Sequence, residues 1–264
     1  MLRGIDISSH NGKLNFEKLK KEIDFVIVRA GYGTKTYDVK ARYNIEQCNK
    51  LGIPVGAYWF SYAHNVEGAK QEAQSCVEFL KQFNIDLPVA FDFEYDSQSY
   101  IEKWYGITPN ATLLCNMANA FFDVIIAGGY TPMLYTNIDY INRGFKKIIN
   151  NQALWLAQWG VTKPAYECLI WQKTDKHKIA GNDCNFDLNY MYKDIPNTKP
   201  AKEVTELNDS DIQDIFYYLI NDYYLPVAKD VINGKYGNGA ERKKNLREAG
   251  YDAALVQCVV NKII

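Results

Sequence analysis

Short apolar, β-prone runs recur eight times along most of this chain, and that recurrence restricts its fold more than any other feature. The runs are residues 3–7, 25–30, 54–61, 87–92, 132–136, 154–158, 169–172 and 184–188. Between the early ones lie stretches with apolar residues at helical spacing: 16–23, 40–51 (closing just before Gly52), 66–83 and 111–126. Alternating strands and helices predict a parallel sheet with helices on its outside. Eight such strands predict a barrel of the TIM type. The gaps after the fifth run are short, so the last helices are expected to be stunted or missing. The fold class is α/β: an irregular TIM-like β/α barrel.

From Lys193 the texture changes. "KDIPNTKPAKEVTELNDSD" is polar, holds two prolines and lacks apolar periodicity. Residues 209–224 then read as a helix with Ile212, Ile215, Phe216 and Leu219 on one face. After Pro226 the pattern is helix, Gly-rich turn, helix, "AGYD" turn, helix. The expected organisation is a barrel over 1–194, a linker over 195–208 and a small three-helix module within 209–264.

Charge excludes some partners. With 30 basic and 31 acidic residues the net charge is −1, so no chain-wide basic field draws it to nucleic acid or an anionic membrane. No apolar run is long enough to span a bilayer, so no membrane insertion is expected. The six cysteines form no C-x-x-C pair, which argues against zinc and against a disulfide scaffold. Reduced thiols, as in a cytoplasm, are expected. The N-terminus lacks the apolar core of a signal peptide.

Carboxylates carry the chemistry. In "LPVAFDFEYD" an apolar run suddenly holds Asp92, Glu94 and Asp96 at alternate positions. Residues two apart on a strand share a face, so Asp92 and Glu94 point one way and Phe91, Phe93 and Tyr95 the other. The carboxyl ends of barrel strands form an active-site mouth, and these acids end the fourth run. Taken alone, the stretch reads equally well as a solvated strand end. Asp6, in "RGIDISSH", ends the first run, and Asp187, in "DCNFDLNYM", ends the eighth. First and last strands of a closed barrel are neighbours, so all four acids are expected on one rim. Clustered carboxylates cannot all ionise freely, because repulsion and burial raise the pKa of at least one. A protonated acid beside ionised ones suits glycosidic bond cleavage. A divalent metal is the other use for such a cluster. None of His10, His64 and His177 falls at a familiar ligand spacing with these acids, so no metal and no cofactor are expected.

Aromatic residues mark the same rim. Tyr32 follows the second run; Tyr58, Phe60 and Tyr62 share a face of the third. Tyr135 ends the fifth, Trp159 the sixth and Gln172 the seventh. Singly, each reads as core packing. As a ring they make a cleft for stacking sugar faces, with Gln172 and Asn137 as hydrogen-bonding groups.

"GIDISSHNG", "FVIVRAGYG", "IPVGAYWFSYA", "VAFDFEYD", "LYTN", "LWLAQW", "IWQ" and "DCNFDLN" occur in the order seen in the lysozymes of glycoside hydrolase family 25. The resemblance covers roughly residues 1–192. It implies an N-acetylmuramidase that cuts the β-1,4 bond between N-acetylmuramic acid and N-acetylglucosamine in bacterial peptidoglycan. Glu94 matches the family's general acid and Asp92 its partner; Asp6 and Asp187 match the remaining acidic positions. Two mechanisms stay open: attack by the substrate's own acetamido group, oriented by Asp92, or an Asp acting as nucleophile or base. The first is preferred.

The C-terminal stretch, with its "GKYGNG-x-x-R" and "L-x-x-AGYD" turns, resembles the short cell-wall-binding repeats of certain phage lysozymes. Tyr236, Gly237, Asn238 and Arg242 match the binding turn. Lys235, Arg242, Lys243, Lys244 and Arg247 gather against only Glu241, and such a face suits anionic wall components. Val256, Val259, Val260, Ile263 and Ile264 read as core or as a surface for self-association. The resemblance suggests an endolysin made in the cytoplasm of a bacterial host and released by holin-type export at lysis. A chitinase, a sugar-binding protein on a retired scaffold and a magnesium-dependent hydrolase are the competing readings.

Overall fold

Strand periodicity and barrel closure account for the first of two compact units, Met1–Pro200 and Ala201–Ile264. The computed structural model describes residues 1–192, 224–248, 251 and 253–263. The expected linker, and all but the last residue of the helix expected at 209–224, lie outside the described residues.

Every apolar run becomes a strand. In chain order the elements are β1 (Leu2–Ile7), α1 (Phe16–Leu19), β2 (Phe25–Tyr32), β3 (Thr36–Tyr37), α2 (Ala41–Leu51), β4 (Val55–Phe60) and α3 (Val66–Leu80). Then come β5 (Val89–Asp92), α4 (Tyr95–Tyr105), α5 (Ala111–Ala127), β6 (Pro132–Asn137), α6 (Ile138–Arg143), β7 (Ala153–Ala157), β8 (Ile170–His177) and β9 (Phe186–Met191). The sheet order is β1-β9-β8-β7-β6-β5-β4-β2, and β1 pairs with β2 to close it; β3 is a two-residue flap on β2.

Alternation along each strand sorts side chains into two layers. Ile5, Val26, Val28, Ala57, Trp59, Phe91, Leu134 and Leu156 face the helices. Phe25, Ile27, Ala90, Met133, Tyr135, Trp155, Ile170 and Met191 fill the barrel. Each inward row turns polar toward one end: Ala90 is followed by Asp92, Ile170 by Gln172. This polar end carries the site.

The structure corrects the sequence expectations at several points. The barrel is not wholly parallel, since β9 runs antiparallel to both β1 and β8. Asp187 therefore stands near the start of its strand, not the end, and reaches the mouth because that strand is reversed. The β8-to-β9 link is too short for a crossover helix, and an antiparallel return is what a short link permits. Helix α1 stops at Leu19, a single turn where residues 16–23 suggested two. Helix α4, directly after the acids, carried no legible periodicity. Among the described residues no helix follows β7 or β8, as the short gaps implied.

In the second unit α7 (Leu225–Ile232), α8 (Gly239–Glu248) and α9 (Ala253–Ile263) surround Val227, Ala228, Val231, Leu246, Val256 and Val260. Val256 and Val260 are core, Val259 packs against that core, and Ile263 is exposed. All six cysteines are free thiols, with Cys258 exposed. Among the described residues no helix is long and apolar enough to cross a membrane.

Candidate active site

Asp6 and Asp187 are register partners across the β1–β9 ladder, and their carboxyls share a hydrogen bond. Asp6 is buried, and its Oδ2 accepts from Asn189 Nδ2 at 2.7 Å and Gln172 Nε2 at 3.0 Å. Burial, then the charge of Asp187, push the Asp6 carboxyl well above the usual carboxylate range. Asp187 is raised as well, first by burial. The pair holds a proton between them more readily than either would in water.

Asp92 ends β5 and points into the barrel behind Ala90. Burial, with the charges of Glu94 and Asp6, raises its carboxyl well above the usual range; the Arg29 guanidinium opposes this. Its Oδ1 is buried with no hydrogen-bond partner among the described residues. An acceptor left open in a low-dielectric pocket is costly unless a ligand fills it.

Glu94 caps the start of α4, and its own N–H donates to Ser97 Oγ at 3.1 Å. A helix N-terminus favours a carboxylate. Burial outweighs that here: Glu94 is raised, although the neighbouring Tyr135 hydroxyl pulls it down, and Asp96 and Asp187 push it up again. It is half-buried, unlike Asp92, and so stands nearer the open groove. Asp96, third of the alternating acids, is exposed on α4.

A polar network locks the acids in place. Gln172 is buried, and its Oε1 accepts from Tyr135 Oη and Trp159 Nε1, both at 3.2 Å, while its amide nitrogen serves Asp6. Tyr58 lies beside Asp6 and Asp92 with its ring 6.0 Å from Trp155. Phe60 packs at 5.1 Å on Tyr62, Tyr62 meets Tyr32 edge-on at 6.3 Å, and Trp159 and Tyr32 are partly open to solvent. Asn137 differs from its neighbours: its Oδ1 caps α6 by accepting from Tyr140 N at 3.0 Å. That acceptor is already occupied.

Three further residues belong to the site. Asn189, buried, ties Asp6 to Trp155 Nε1 at 2.7 Å. It stands two residues after Asp187, on the same face, so period-two reading of "FDLN" could have found it. Trp155, in "LWLA", is a core residue by any sequence criterion. Arg29 is the lone charge in "FVIVRAGYG"; it pairs with buried Asp38 at 2.7 Å and donates to Ser9 Oγ at 3.1 Å. Burial tends to raise Asp38, but the Ser9 and Lys40 N–H groups and Arg29 bring it below the usual range.

A family model matches residues 5–182. The chain belongs to glycosyl hydrolases family 25. A second model, the CW_7 repeat, matches residues 226–264. The lysozyme of Streptococcus phage Cp-7 is 25% identical over 275 residues, covering 98% of this chain and 69% of that protein. The autolytic lysozyme of Clostridium acetobutylicum is 22% identical, covering 74% of this chain and 57% of that protein. Among solved structures, the modular autolysin LytC of Streptococcus pneumoniae superposes with a TM-score of 0.63 at 27% identity, covering 72% of this chain and 46% of that one. A lysozyme from Streptomyces coelicolor shares the fold, with a TM-score of 0.62 at 20% identity over 73% of this chain and 92% of that one. This family 25 chain is thus a glycoside hydrolase of the lysozyme kind.

In the repeat, Arg242 organises its own turn. Nε donates to Gly237 O at 3.1 Å, one terminal nitrogen to Asn238 Oδ1 at 3.0 Å and the other to Gln257 Oε1 at 3.2 Å. Gly237 has φ +73°, and a Cβ there would meet the Glu241 carboxylate at 2.8 Å. Tyr236 sits edge-on to Tyr251 at 6.5 Å.

Proposed function

We propose that this chain is a peptidoglycan N-acetylmuramidase, cutting the β-1,4 bond between N-acetylmuramic acid and N-acetylglucosamine with Glu94 as general acid. One observation carries the reading: four carboxyls with raised proton affinity converge at one end of the barrel. The Glu94 proton passes to the glycosidic oxygen as the C1–O bond breaks, and the leaving sugar departs as an alcohol. The acetamido oxygen of the muramic acid attacks C1, which spares the protein a nucleophile. The open Asp92 Oδ1 is the acceptor for the acetamido N–H. That bond, with Arg29 nearby, favours ionised Asp92 once substrate is seated, so Asp92 offsets the positive charge growing on the ring. Water then opens the cyclic intermediate and returns a proton to Glu94.

The similarity to a phage lysozyme along 98% of the chain supports an endolysin role, with release from the host cytoplasm at lysis. The repeat supports wall targeting. Mass spectrometry of digested walls tests the bond: new reducing ends on muramic acid are expected, and ends on glucosamine refute it. Clearing of walls, not chitin, and equal rates in chelator are expected. Co-expression tests release: lysis should need both this chain and a membrane-permeabilising partner.

A further inference from the structure

Four carboxyls are buried among the described residues: Asp6, Asp38, Glu72 and Asp92. Asp6 and Asp92 belong to the cluster at the mouth, and Asp38 answers Arg29. Glu72 is the fourth. It lies on α3, whose other buried residues, Ala69 and Cys76 among them, carry no charge. An apolar residue at this position would pack without the cost of burying a carboxyl.

The hydrogen bonds of Glu72 go to the segment that leaves β4. Its Oε2 accepts from Ser61 Oγ at 2.6 Å, and its Oε1 accepts from Tyr62 N at 2.8 Å. Ser61 Oγ also accepts from Ala63 N at 3.2 Å. Ser61, itself buried, donates its N–H to Asp92 O at 2.8 Å. That bond lies just beyond the last register pair of the two strands, Phe60 with Asp92, where β5 ends and the chain turns toward Glu94. A pinned Asp92 carbonyl fixes the backbone dihedral there, and with it the direction of the Cα–Cβ bond. The side chain depends on this support, because its Oδ1 makes no hydrogen bond that would orient it.

We propose that Glu72 is a positioning residue for bond cleavage: through Ser61 it sets the direction in which Asp92 presents its open oxygen to the substrate. This rests on the muramidase reading, in which that oxygen accepts the acetamido N–H. Burial pushes the Glu72 carboxyl up to about 8, against the pull of the Ser61 hydroxyl and the Tyr62 and Ala63 N–H groups, so the neutral acid prevails at neutral pH. A glutamine amide has the same shape. Its nitrogen can donate to Ser61 Oγ while its oxygen keeps the bond from Tyr62 N. A methionine fills similar space and offers only a weak acceptor.

The test measures kcat and KM of the full chain on soluble glycan fragments. Glu72→Met should lower kcat about ten- to a hundredfold with KM little changed, because a misdirected Asp92 fails the transition state more than the bound sugar. Glu72→Gln should keep the wild-type kcat. The deciding measurement repeats Glu72→Met in an Asp92→Asn background. A residue that acts through Asp92 has nothing further to remove there, so the double variant should turn over at the Asp92→Asn rate. Ser61→Ala cuts the same link with less loss of packing, and it should show the same dependence on Asp92 where Glu72→Met yields no folded chain. The same factor lost in both backgrounds, a Gln variant as slow as the Met one, or a wild-type kcat in Glu72→Met overturns the positioning role and leaves the muramidase intact. If Asp92→Asn alone keeps the wild-type kcat, the part given to Asp92 in the reaction falls, and the positioning role with it.

Discussion

Glu94 stands where two influences oppose each other. The first turn of α4 and the Tyr135 hydroxyl favour its ionised form, and burial beside other acids favours the neutral one. The neutral form prevails further up the pH scale than for a free carboxyl, which is what a proton donor needs. Glu94→Gln should cut kcat by about 10²–10⁴-fold in turbidity assays on walls, with folding unchanged. Asp92 illustrates the stability cost of the same environment. Its proton affinity is raised in the folded chain, so its contribution is neutral below the ordinary value of 3.8 and turns unfavourable as pH rises toward the elevated one. Asn does not titrate. Asp92→Asn should therefore melt higher than wild type at neutral pH, with the advantage vanishing in acid; calorimetry across pH reads this directly. Glu72, pushed up to about 8 by burial, acts in the same direction, so stability should decline as the medium passes from acid to mildly alkaline.

Among the elements, β2 shows how one backbone irregularity serves the site. Its pairing with β4 shifts register between Arg29 and Gly31, and the strand passes so close to β3 that a Cβ on Gly31 would meet Thr36 O at 2.4 Å and the Trp59 ring at 2.5 Å. The Trp59 indole is itself held by Gly33 O at 3.0 Å and cannot yield. Gly31→Ala should cost about 1–3 kcal/mol in denaturant unfolding, with activity falling as Arg29 shifts. Strand β9 makes the complementary point. Only its reversed direction puts Asp187 beside Asp6 and Asn189 beneath them.

For the molecule as a whole, the two units divide the work of cutting and holding. Removing residues 195–264 should weaken pelleting with purified walls while leaving kcat on soluble glycan fragments unchanged; equal wall binding by both proteins rejects a targeting role for the repeat. Much of this was legible in the sequence alone. Burial of alternate residues writes itself into a strand, so the eight runs and the acids Asp6 and Asp92 toward the ends of theirs could be read directly. The ordered motifs likewise pointed to family 25. Periodicity reports which face is buried, not which way a strand runs or what it pairs with. The reversal of β9, the Gln172–Asn189 clasp on Asp6 and the open Asp92 oxygen were decided by tertiary structure. Each depends on residues brought together through space, where burial and neighbouring charge, rather than residue type, set what a carboxyl can do.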